Sequence, residues 1–237
     1  MIGQVHSLQS LGAVDGPGLR YVVFLQGCPL RCAYCHNPDT WHPHGGRAMS
    51  VKELVTEILR YRDYFGDQGG VTVTGGEPLM QGEFVAELFF QLHKQGIHTA
   101  LDTCGHGTDQ QIDAVLAHTD LVLCDVKFTD EQAYRQYSGG SLKQVLHFLD
   151  KTATNHTDVW IRHVVVPNLT DTAEGIEQLN QLLQSYTNIK KVELLPFRKL
   201  CQEKYDQMGI VFPLAQTPAC TAETINRLQQ LLRVNGI

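Results

Sequence analysis

The sequence predicts an α/β fold in which parallel strands form a partial, TIM-like (β/α)6 barrel. First, β-branched apolar segments alternate with amphipathic segments along the 237 residues, which indicates parallel βαβ units with right-handed crossovers. Second, the strand-like segments number six, fewer than the strands of a complete barrel. Third, polar residues follow the strand ends, where α/β folds collect functional groups. We expect a single domain over residues 1–237.

Each predicted element rests on a local pattern. Short runs rich in β-branched and aromatic residues predict strands at residues 19–26, 70–74, 98–102, 121–126, 159–165 and 191–195. Helical patterns predict helices at residues 50–64, 81–95, 109–118, 171–185 and 221–234, with two more within 130–152. Ser50 and Glu53 predict a capping box at the start of the first helix.

Composition argues against several classes of function. Hydrophobic residues make up 43% of the chain and the net charge is −6, so we expect no basic face for wide nucleic-acid binding. No apolar stretch reaches membrane-spanning length. Residues 1–6 lack the basic start and apolar core of a signal peptide. We therefore expect a cytoplasmic monomer with no nucleic-acid or membrane partner.

A loop over residues 27–46 follows the first predicted strand and carries Cys28, Cys32 and Cys35 in the pattern C-x₃-C-x₂-C. Three thiolates can bind three irons of a 4Fe–4S cluster and leave one iron open. A zinc site is the first alternative, but its fourth ligand would be His36, and adjacent residues rarely reach one tetrahedral ion. A disulfide is the second alternative, and a reducing compartment disfavours it.

Further polar motifs follow later predicted strands. Gly75-Gly76-Glu77-Pro78 alone would be an ordinary turn, but glycines also let a backbone edge approach a ligand closely. Asp102-Thr103 and Asp125-Val126-Lys127 are candidates for a hard-cation site, with Lys127 free to hold a ligand carboxylate. Arg162 lies inside an apolar strand, so we expect it to point into the barrel mouth toward an anionic partner.

The cysteine motif, with aromatic Tyr34 before the third cysteine, combines with Gly-Gly-Glu-Pro after the next strand. This combination resembles the radical S-adenosylmethionine (SAM) superfamily. The resemblance implies that Cys28, Cys32 and Cys35 hold a 4Fe–4S cluster whose open iron binds SAM. It also implies reductive cleavage of SAM to methionine and a 5′-deoxyadenosyl radical.

A longer series of motifs is similar to one family within that superfamily. DGPG in the turn 12–19, GCPLRCAYCHNPDTW, GGEP, LDTCG, DVK, WIRHVVVP and VELLPF occur in the order seen in the activating enzymes of pyruvate formate-lyase. This resemblance covers nearly the whole chain. It implies an oxidoreductase of anaerobic glucose metabolism that generates a glycyl radical on pyruvate formate-lyase, with a flavodoxin or ferredoxin-type reductant.

The same resemblance assigns residue roles. Cofactor contacts would fall on Tyr34, His36, Asn37, Gly75, Gly76, Glu77, Asp102, Asp125, Val126, Lys127, Arg162, Val164 and Arg198. A monovalent cation would bind Asp102, Thr103, Asp125 and the carbonyl of Leu123. Asp15 would contact the glycine loop of the partner enzyme.

Two alternatives within the superfamily stay open. One is an activase of another glycyl-radical enzyme, although residues 36–74 contain no cysteine and therefore lack the extra cluster insertion of many such activases. The other is a small-molecule radical enzyme such as a deazapurine synthase. A redox or zinc protein without enzymatic activity is a third class.

Some positions depart from the family pattern or receive no role. Arg198 stands where the family can carry histidine. Cys104 and Cys124 are predicted to be buried free thiols, because free cysteine is often packed in the core. Cys201 and Cys220 have no predicted role.

Overall fold

The computed structural model describes residues 1–233 and contains one mixed sheet of eight strands. The strands are β1 Ile2–Gly12, β2 Arg20–Leu25, β3 Arg47–Ser50, β4 Gly70–Gly75, β5 His98–Thr103, β6 Leu121–Asp125, β7 Asp158–Val165 and β8 Ile189–Pro196. The helices are α1 Val51–Leu59, α2 Gly82–His93, α3 Asp109–Leu116, α4 Glu131–Ser138, α5 Leu142–Thr154, α6 Ala173–Leu183, α7 Gln202–Met208 and α8 Ala222–Gln229.

The strand order is β3-β1-β2-β4-β5-β6-β7-β8. From β2 to β8 the neighbouring strands are parallel. The six predicted strands and the partial barrel are thus confirmed. The sheet stays open, with β3 and β8 at its edges.

Two strands were not predicted. β1 pairs antiparallel with β2 and with β3, at one side of the parallel sheet. β1 reads IGQVHSLQSLG and is largely exposed along its second half, so its apolar alternation is weak. β3 has four residues, of which only Met49 is buried. Edge strands of this kind give little periodic signal because most of their side chains face water.

The helix predictions are right in number up to α6 and less accurate at their ends. The capping box is confirmed, since the backbone N–H of Glu53 donates to Ser50 and that of Ser50 donates to Glu53. The first helix ends at Leu59 instead of residue 64, and a short 3-10 turn follows at Arg62–Tyr64. α7 was not predicted. The last helix ends at Gln229, whereas the prediction ran to residue 234, which lies outside the described residues.

Helices and loops cover the sheet around a core of buried apolar side chains, among them Val71, Val73, Leu88 and Leu101. The parallel register aligns the ends of the strands, because Leu25 pairs with Gly75 and Asp125 pairs with Arg162. Polar residues distant in sequence therefore meet at one edge. Among residues 1–233, none of the helices has the length and apolar character needed to cross a bilayer.

Candidate functional site

A cavity of about 310 Å³ lies at the edge where the parallel strands end. The cysteine loop, the strand ends and the N-terminal turn all contribute to it. Its lining includes Asp15, Cys28, Cys32, Tyr34, Cys35, His36, Asn37, Gly75, Gly76, Asp102, Thr103, Cys104, Asp125, Lys127, Arg162 and Val164. The structure therefore brings most of the predicted site residues together.

Helix α4 holds the cysteine loop through its C-terminal carbonyl groups. The backbone N–H of Arg31 donates to the carbonyl of Ser138 at 2.8 Å, and that of Ala33 donates to Tyr137 at 2.7 Å. The last carbonyls of a helix have no partner inside the helix. These two bonds satisfy them and fix the stretch of backbone between Cys28 and Cys35.

Helix α7 holds the loop from another side. The hydroxyl of Tyr205 donates to the carbonyl of Cys35 at 3.2 Å. The ammonium of Lys204 lies 2.9 Å from Oδ1 of Asn37 and 3.0 Å from Oδ2 of Asp39. Sequence reasoning missed these contacts, because a seven-residue polar helix has no strong periodic pattern and its partners lie far away in the chain.

The three thiols of the loop are free; Cys32 is buried, and Cys28 and Cys35 are half-buried. Burial, and then the Glu77 carboxylate, raise the pKa of Cys28 to about 12. Burial raises the pKa of Cys32 to about 11. Burial also raises the pKa of Cys35, against the backbone N–H of Asn37 and the charge of Lys127. Metal binding would therefore displace protons from all three sulfurs.

The donor set fits an iron–sulfur cluster, since soft thiolates select such clusters. Within residues 1–233, no group of three or more His, Cys, Asp or Glu side chains is placed to hold a single metal ion. His36, the fourth ligand in the zinc alternative, has its Nε2 atom 3.0 Å from the carbonyl oxygen of Arg198.

The Gly75-Gly76 turn packs directly against the backbone of β2 and the cysteine loop. Gly75 has a φ of +115°, and a Cβ there would lie 2.4 Å from the nitrogen of Leu25. A Cβ on Gly76 would lie 2.1 Å from the carbonyl oxygen of Gly27. Both positions therefore require glycine so that the two backbones can approach. The glycines also leave backbone facing the cavity.

Glu77 was predicted as a cofactor contact, but its side chain does not line the cavity. It is 0% exposed. Its carboxylate accepts hydrogen bonds from the hydroxyl of Thr103 at 2.6 Å and from the backbone N–H groups of Cys104 at 2.8 Å and Leu79 at 3.0 Å. Glu77 thus ties the glycine turn to the end of β5, because a buried carboxylate needs such donors.

Two ion pairs form the polar wall of the cavity. Oδ2 of Asp102 lies 3.1 Å from Arg162 and accepts the Thr74 hydroxyl at 2.8 Å. Oδ2 of Asp125 lies 2.8 Å from the ammonium of Lys127. Arg162 thus has the anionic partner predicted for it. The Nε atom of Arg162 is buried and lies 3.5 Å from Oε2 of Glu193, so Glu193 is a second anionic partner.

The electrostatics of these pairs are uneven. Burial raises the pKa of Asp102, against the charge of Arg162, and the nearby Asp125 carboxylate raises it further. Burial acts to lower the pKa of Lys127, but Asp125 and then Cys32 raise it well above its usual value. The cavity thus holds a firmly protonated lysine, Lys127, and a second carboxylate, Asp102, whose negative charge is destabilised.

Backbone contacts fix the N-terminal turn under the cavity. The hydroxyl of Thr72 donates to the carbonyl of Asp15 at 2.6 Å, and Nη2 of Arg162 donates to the carbonyl of Val14 at 2.5 Å. None of the side-chain hydrogen bonds found in residues 1–233 uses the Asp15 carboxylate. Burial raises its pKa, against the charges of Arg162 and Arg20. The carboxylate at the cavity wall is therefore free for an incoming group.

Four of the remaining predicted residues differ in placement. Val126 and Leu123 are buried in the sheet and do not line the cavity. Arg198 is exposed, and its contact with the cysteine loop is made by its carbonyl. Thr103 lines the cavity, but its hydroxyl donates to Glu77 and is therefore already engaged.

The other cysteines are free. Cys104 and Cys124 are buried, as predicted. Cys104 also lines the cavity, and its thiol donates to the Glu77 carboxylate at 2.7 Å. Cys201 is buried at the start of α7 and Cys220 is half-buried. The position of Cys104 at the cavity depends on its contact with Glu77. The spacing of these two residues in the sequence does not reveal that contact.

Comparison with known proteins gives a consistent result. The family model of the Radical SAM superfamily matches residues 22–180. The chain is 43% identical over 234 residues to the pyruvate formate-lyase-activating enzyme of Clostridium pasteurianum, covering 98% of both chains. It is 40% identical to the pyruvate formate-lyase-activating enzyme of Staphylococcus aureus strain USA300, covering 99% of this chain and 96% of the relative.

Solved structures show the same fold. A radical SAM methyltransferase from Sphaerobacter thermophilus matches with a TM-score of 0.68 at 16% identity, over 99% of this chain and 76% of the other. A domain of a pyruvate-formate lyase-activating enzyme from Bacteroides vulgatus matches with a TM-score of 0.58 at 23% identity, over 69% of this chain and 92% of the other.

Proposed function

Because the chain belongs to the radical SAM superfamily and, within it, to the family of pyruvate formate-lyase-activating enzymes, we propose that it activates pyruvate formate-lyase. Activation would occur under anaerobic conditions by formation of a glycyl radical on that partner. The likeness to the two curated relatives extends over nearly the whole chain, which supports the same substrate.

One observation carries this proposal: three free cysteines and two cationic side chains meet on one cavity. Cys28, Cys32 and Cys35 share its wall with Lys127 and Arg162. The three thiolates would hold a 4Fe–4S cluster with one iron left for SAM. Cluster and SAM, when bound, would supply one-electron cleavage of the C5′–S bond to methionine and a 5′-deoxyadenosyl radical, which would take a hydrogen atom from glycine.

The charged groups suit the polar end of SAM. Lys127 stays protonated beside Asp125, 2.8 Å away, and would bind the carboxylate of SAM as a point charge. Arg162, paired with Asp102 at 3.1 Å, adds a second positive charge on the same wall. The backbone at Gly75 and Gly76 would face the amino group, because glycine leaves it uncovered.

A monovalent cation would fit between Asp102 and Asp125. Both carboxylates line the cavity, and burial, against the charge of Arg162, together with repulsion from Asp125 raises the pKa of Asp102. A cation would offset that repulsion. Because the Thr103 hydroxyl donates to Glu77, we propose that Thr103 contributes a carbonyl oxygen, together with the Leu123 carbonyl.

Asp15 would receive the glycine loop of the partner. Its carboxylate lies on the cavity wall, while contacts from Thr72 and Arg162 to the backbone hold its own turn in place. A free carboxylate can accept backbone N–H groups of an extended loop. The electron would come from a flavodoxin or ferredoxin-type protein.

The test is anaerobic reconstitution with iron and sulfide, followed by SAM, dithionite and pyruvate formate-lyase. We expect a 4Fe–4S signal in electron paramagnetic resonance (EPR) spectra, consumption of SAM, and a glycyl radical on the partner. The matched control is Cys220→Ser, which changes a half-buried thiol away from the cavity. SAM consumption without a radical on pyruvate formate-lyase would favour another glycyl-radical enzyme or a small molecule as substrate.

A further inference from the structure

A further pocket lies on the outer side of the sheet, between the starts of helices α4 and α6, and its volume is about 210 Å³. Arg162 and His163 are consecutive residues of β7, and successive side chains of a strand point to opposite faces. Arg162 therefore faces the cavity described above, whereas His163 lines this outer pocket. The two share no lining residue among residues 1–233. The wall of the outer pocket includes Phe128, Asp130, His163, Leu169, Glu174 and Gln178.

His163 presents a free acceptor to the outer pocket. The residue is 2% exposed, and its Nδ1 atom lies 2.7 Å from the carbonyl oxygen of Val126. Because a carbonyl oxygen only accepts, Nδ1 carries the hydrogen, and a neutral ring then leaves Nε2 as an acceptor. Burial, against the contact with Val126, lowers the pKa of His163 and keeps the ring neutral. Within residues 1–233 the ring forms its hydrogen bond through Nδ1 alone, although buried acceptors normally have a partner.

The two helix starts beside the pocket already have their caps. At α4, the backbone N–H of Ala133 donates to Oδ1 of Asp130 at 2.8 Å. At α6, the backbone N–H of Gly175 donates to the Thr172 hydroxyl at 3.0 Å. Each cap satisfies an N–H group that could otherwise attract an anion. No lysine or arginine is found in the pocket wall within residues 1–233. An anionic ligand is therefore disfavoured.

The polar groups left free in the wall are mostly acceptors. They are Nε2 of His163, the second oxygen of Asp130 and the carboxylate of Glu174. Neither carboxylate forms an ion pair within residues 1–233. A neutral donor beside them is the amide nitrogen of Gln178. Two negative charges and an imidazole acceptor favour a ligand that is both a cation and a hydrogen-bond donor.

The rest of the wall is apolar and favours an organic cation over a metal ion. Phe128 is buried and Leu169 is half-buried, and both line the pocket. Apolar surface provides no ligand for a metal ion, but it packs against an alkyl chain. Among residues 1–233, no group of three or more His, Cys, Asp or Glu side chains is placed to hold a metal ion.

We propose that the outer pocket binds a small alkylammonium ion, which donates to Nε2 of His163 and is balanced by the carboxylates of Asp130 and Glu174. Its alkyl chain would pack on Phe128 and Leu169. The site uses no cysteine and none of the residues of the cavity. It therefore goes beyond the activation of pyruvate formate-lyase and does not depend on the proposed cluster.

Helix α4 connects the outer pocket with the cysteine loop. Asp130 caps its first turn, and at its other end the carbonyls of Tyr137 and Ser138 accept the backbone N–H groups of Ala33 and Arg31. A ligand held beside Asp130 should therefore make α4 open less often. Exchange of these two N–H groups for deuterium should slow when the ligand binds.

The experiment is calorimetric titration of the full chain, reconstituted anaerobically, with n-butylammonium chloride. Sodium butyrate and butan-1-ol, of similar length but with an anionic or a neutral end, are the ligand controls. We expect binding in the millimolar range or tighter for butylammonium alone.

Variants of the pocket wall test each contact. Asp130→Asn, which keeps a capping oxygen, and Glu174→Gln should each weaken the binding of butylammonium about fivefold, the upper value for a partly exposed ion pair. His163→Phe should weaken it about tenfold or more, because the buried acceptor is lost. Glu223→Gln, in the first turn of α8, is the matched control and should bind as wild type does.

A double variant covers the case in which His163→Phe does not fold. Asp130 and Glu174 are exposed, so the protein that carries both Asp130→Asn and Glu174→Gln should fold and bind butylammonium about 25-fold more weakly. No binding of butylammonium to the wild-type protein would show that the pocket holds only water, and would overturn the proposal. Equal binding of butyrate, or an unchanged affinity in the double variant, would overturn it as well.

Discussion

Two arginines at opposite ends of the parallel sheet are held in different ways. Arg162, near the carboxyl ends of the strands, lies 3.1 Å from the Asp102 carboxylate and 3.5 Å from Glu193. Arg20, at the start of β2, is 0% exposed. Its hydrogen bonds within residues 1–233 go to the Thr72 hydroxyl, the carbonyls of Val71 and His98, and the His98 ring.

The pKa values record the same contrast. Burial acts to lower the pKa of Arg162, but the charge of Asp102 raises it above its usual value. Burial lowers the pKa of Arg20 to about 10. At the amino ends of the strands, neutral hydrogen-bond acceptors surround Arg20. Paired charges, which a ligand can rearrange, surround the cavity at the other end.

The largest expected effect is the loss of one cavity cysteine. Cys28→Ala, Cys32→Ala or Cys35→Ala should abolish the 4Fe–4S signal and the activity, because three ligands are the minimum for this cluster. Cys201→Ser changes a buried thiol that does not line the cavity, and this variant should keep its iron. EPR spectra and iron analysis measure the cluster content of each variant. Loss of iron from a folded Cys201→Ser protein would contradict the three-ligand account.

The two arginines should separate binding from stability. Arg162→Met should weaken SAM binding about 100-fold, because a charge-assisted donor and the partner of Asp102 are both lost. Arg20→Met should leave SAM affinity unchanged and lower the free energy of unfolding by about 3 kcal/mol, because buried acceptors lose their donor. Calorimetry of SAM binding and urea unfolding measure the two effects. A large affinity loss in Arg20→Met would remove the distinction.

The acidic side of the cavity provides a further test of the same contrast. Asp102→Ala and Asp125→Ala should weaken SAM binding and slow its cleavage. The cluster should stay intact, since neither residue is one of its ligands. Wild-type activity should also change when sodium replaces potassium. SAM affinity is measured beside iron content for each variant. Unchanged affinity in both variants would argue against the cation site.

Asp15 should affect the partner more than the cofactor. Asp15→Ala should lower affinity for pyruvate formate-lyase by roughly ten- to a hundredfold, the value of a charge-assisted contact of about 1.5–3 kcal/mol. Glycyl-radical yield is compared with SAM affinity and melting temperature in the same variant. Early melting with normal partner activation would show that the carboxylate only supports its own turn.

The smallest effect concerns pH. Burial lowers the pKa of His163, and burial and then Arg20 lower that of His98. Unfolding exposes both rings, which then take up protons near pH 6.5 and below, so stability should fall as pH drops through that range. His163→Asn should flatten the change in melting temperature between pH 7.5 and 5.5. His44→Gln, at an exposed ring, should leave that change as in wild type.

Apolar runs of β2 and β4 to β8 predicted the parallel part of the fold, because buried strands impose a strong pattern. The half-exposed β1 and the short α7 carry no such pattern. The cysteine loop and Lys127 could be predicted from their positions next to strand ends, and Arg162 from its charge inside an apolar strand. The engagement of Glu77 by Thr103 could not, because it depends on how the loops pack.

Distances along the chain explain the other omissions. Tyr205 lies far from Cys35 in sequence, so its role in holding the loop is a product of tertiary structure. Trp41 is close in sequence to the cysteines, but the contacts of its ring with Arg31 and Tyr205 depend on tertiary packing.

Isotope transfer tests the central claim most directly. Pyruvate formate-lyase is prepared with deuterated glycine and mixed anaerobically with the reconstituted protein, SAM and reductant. The account predicts that deuterium from the partner appears in 5′-deoxyadenosine as the glycyl radical forms. Unlabelled 5′-deoxyadenosine, produced at the same rate with and without the partner, would contradict it.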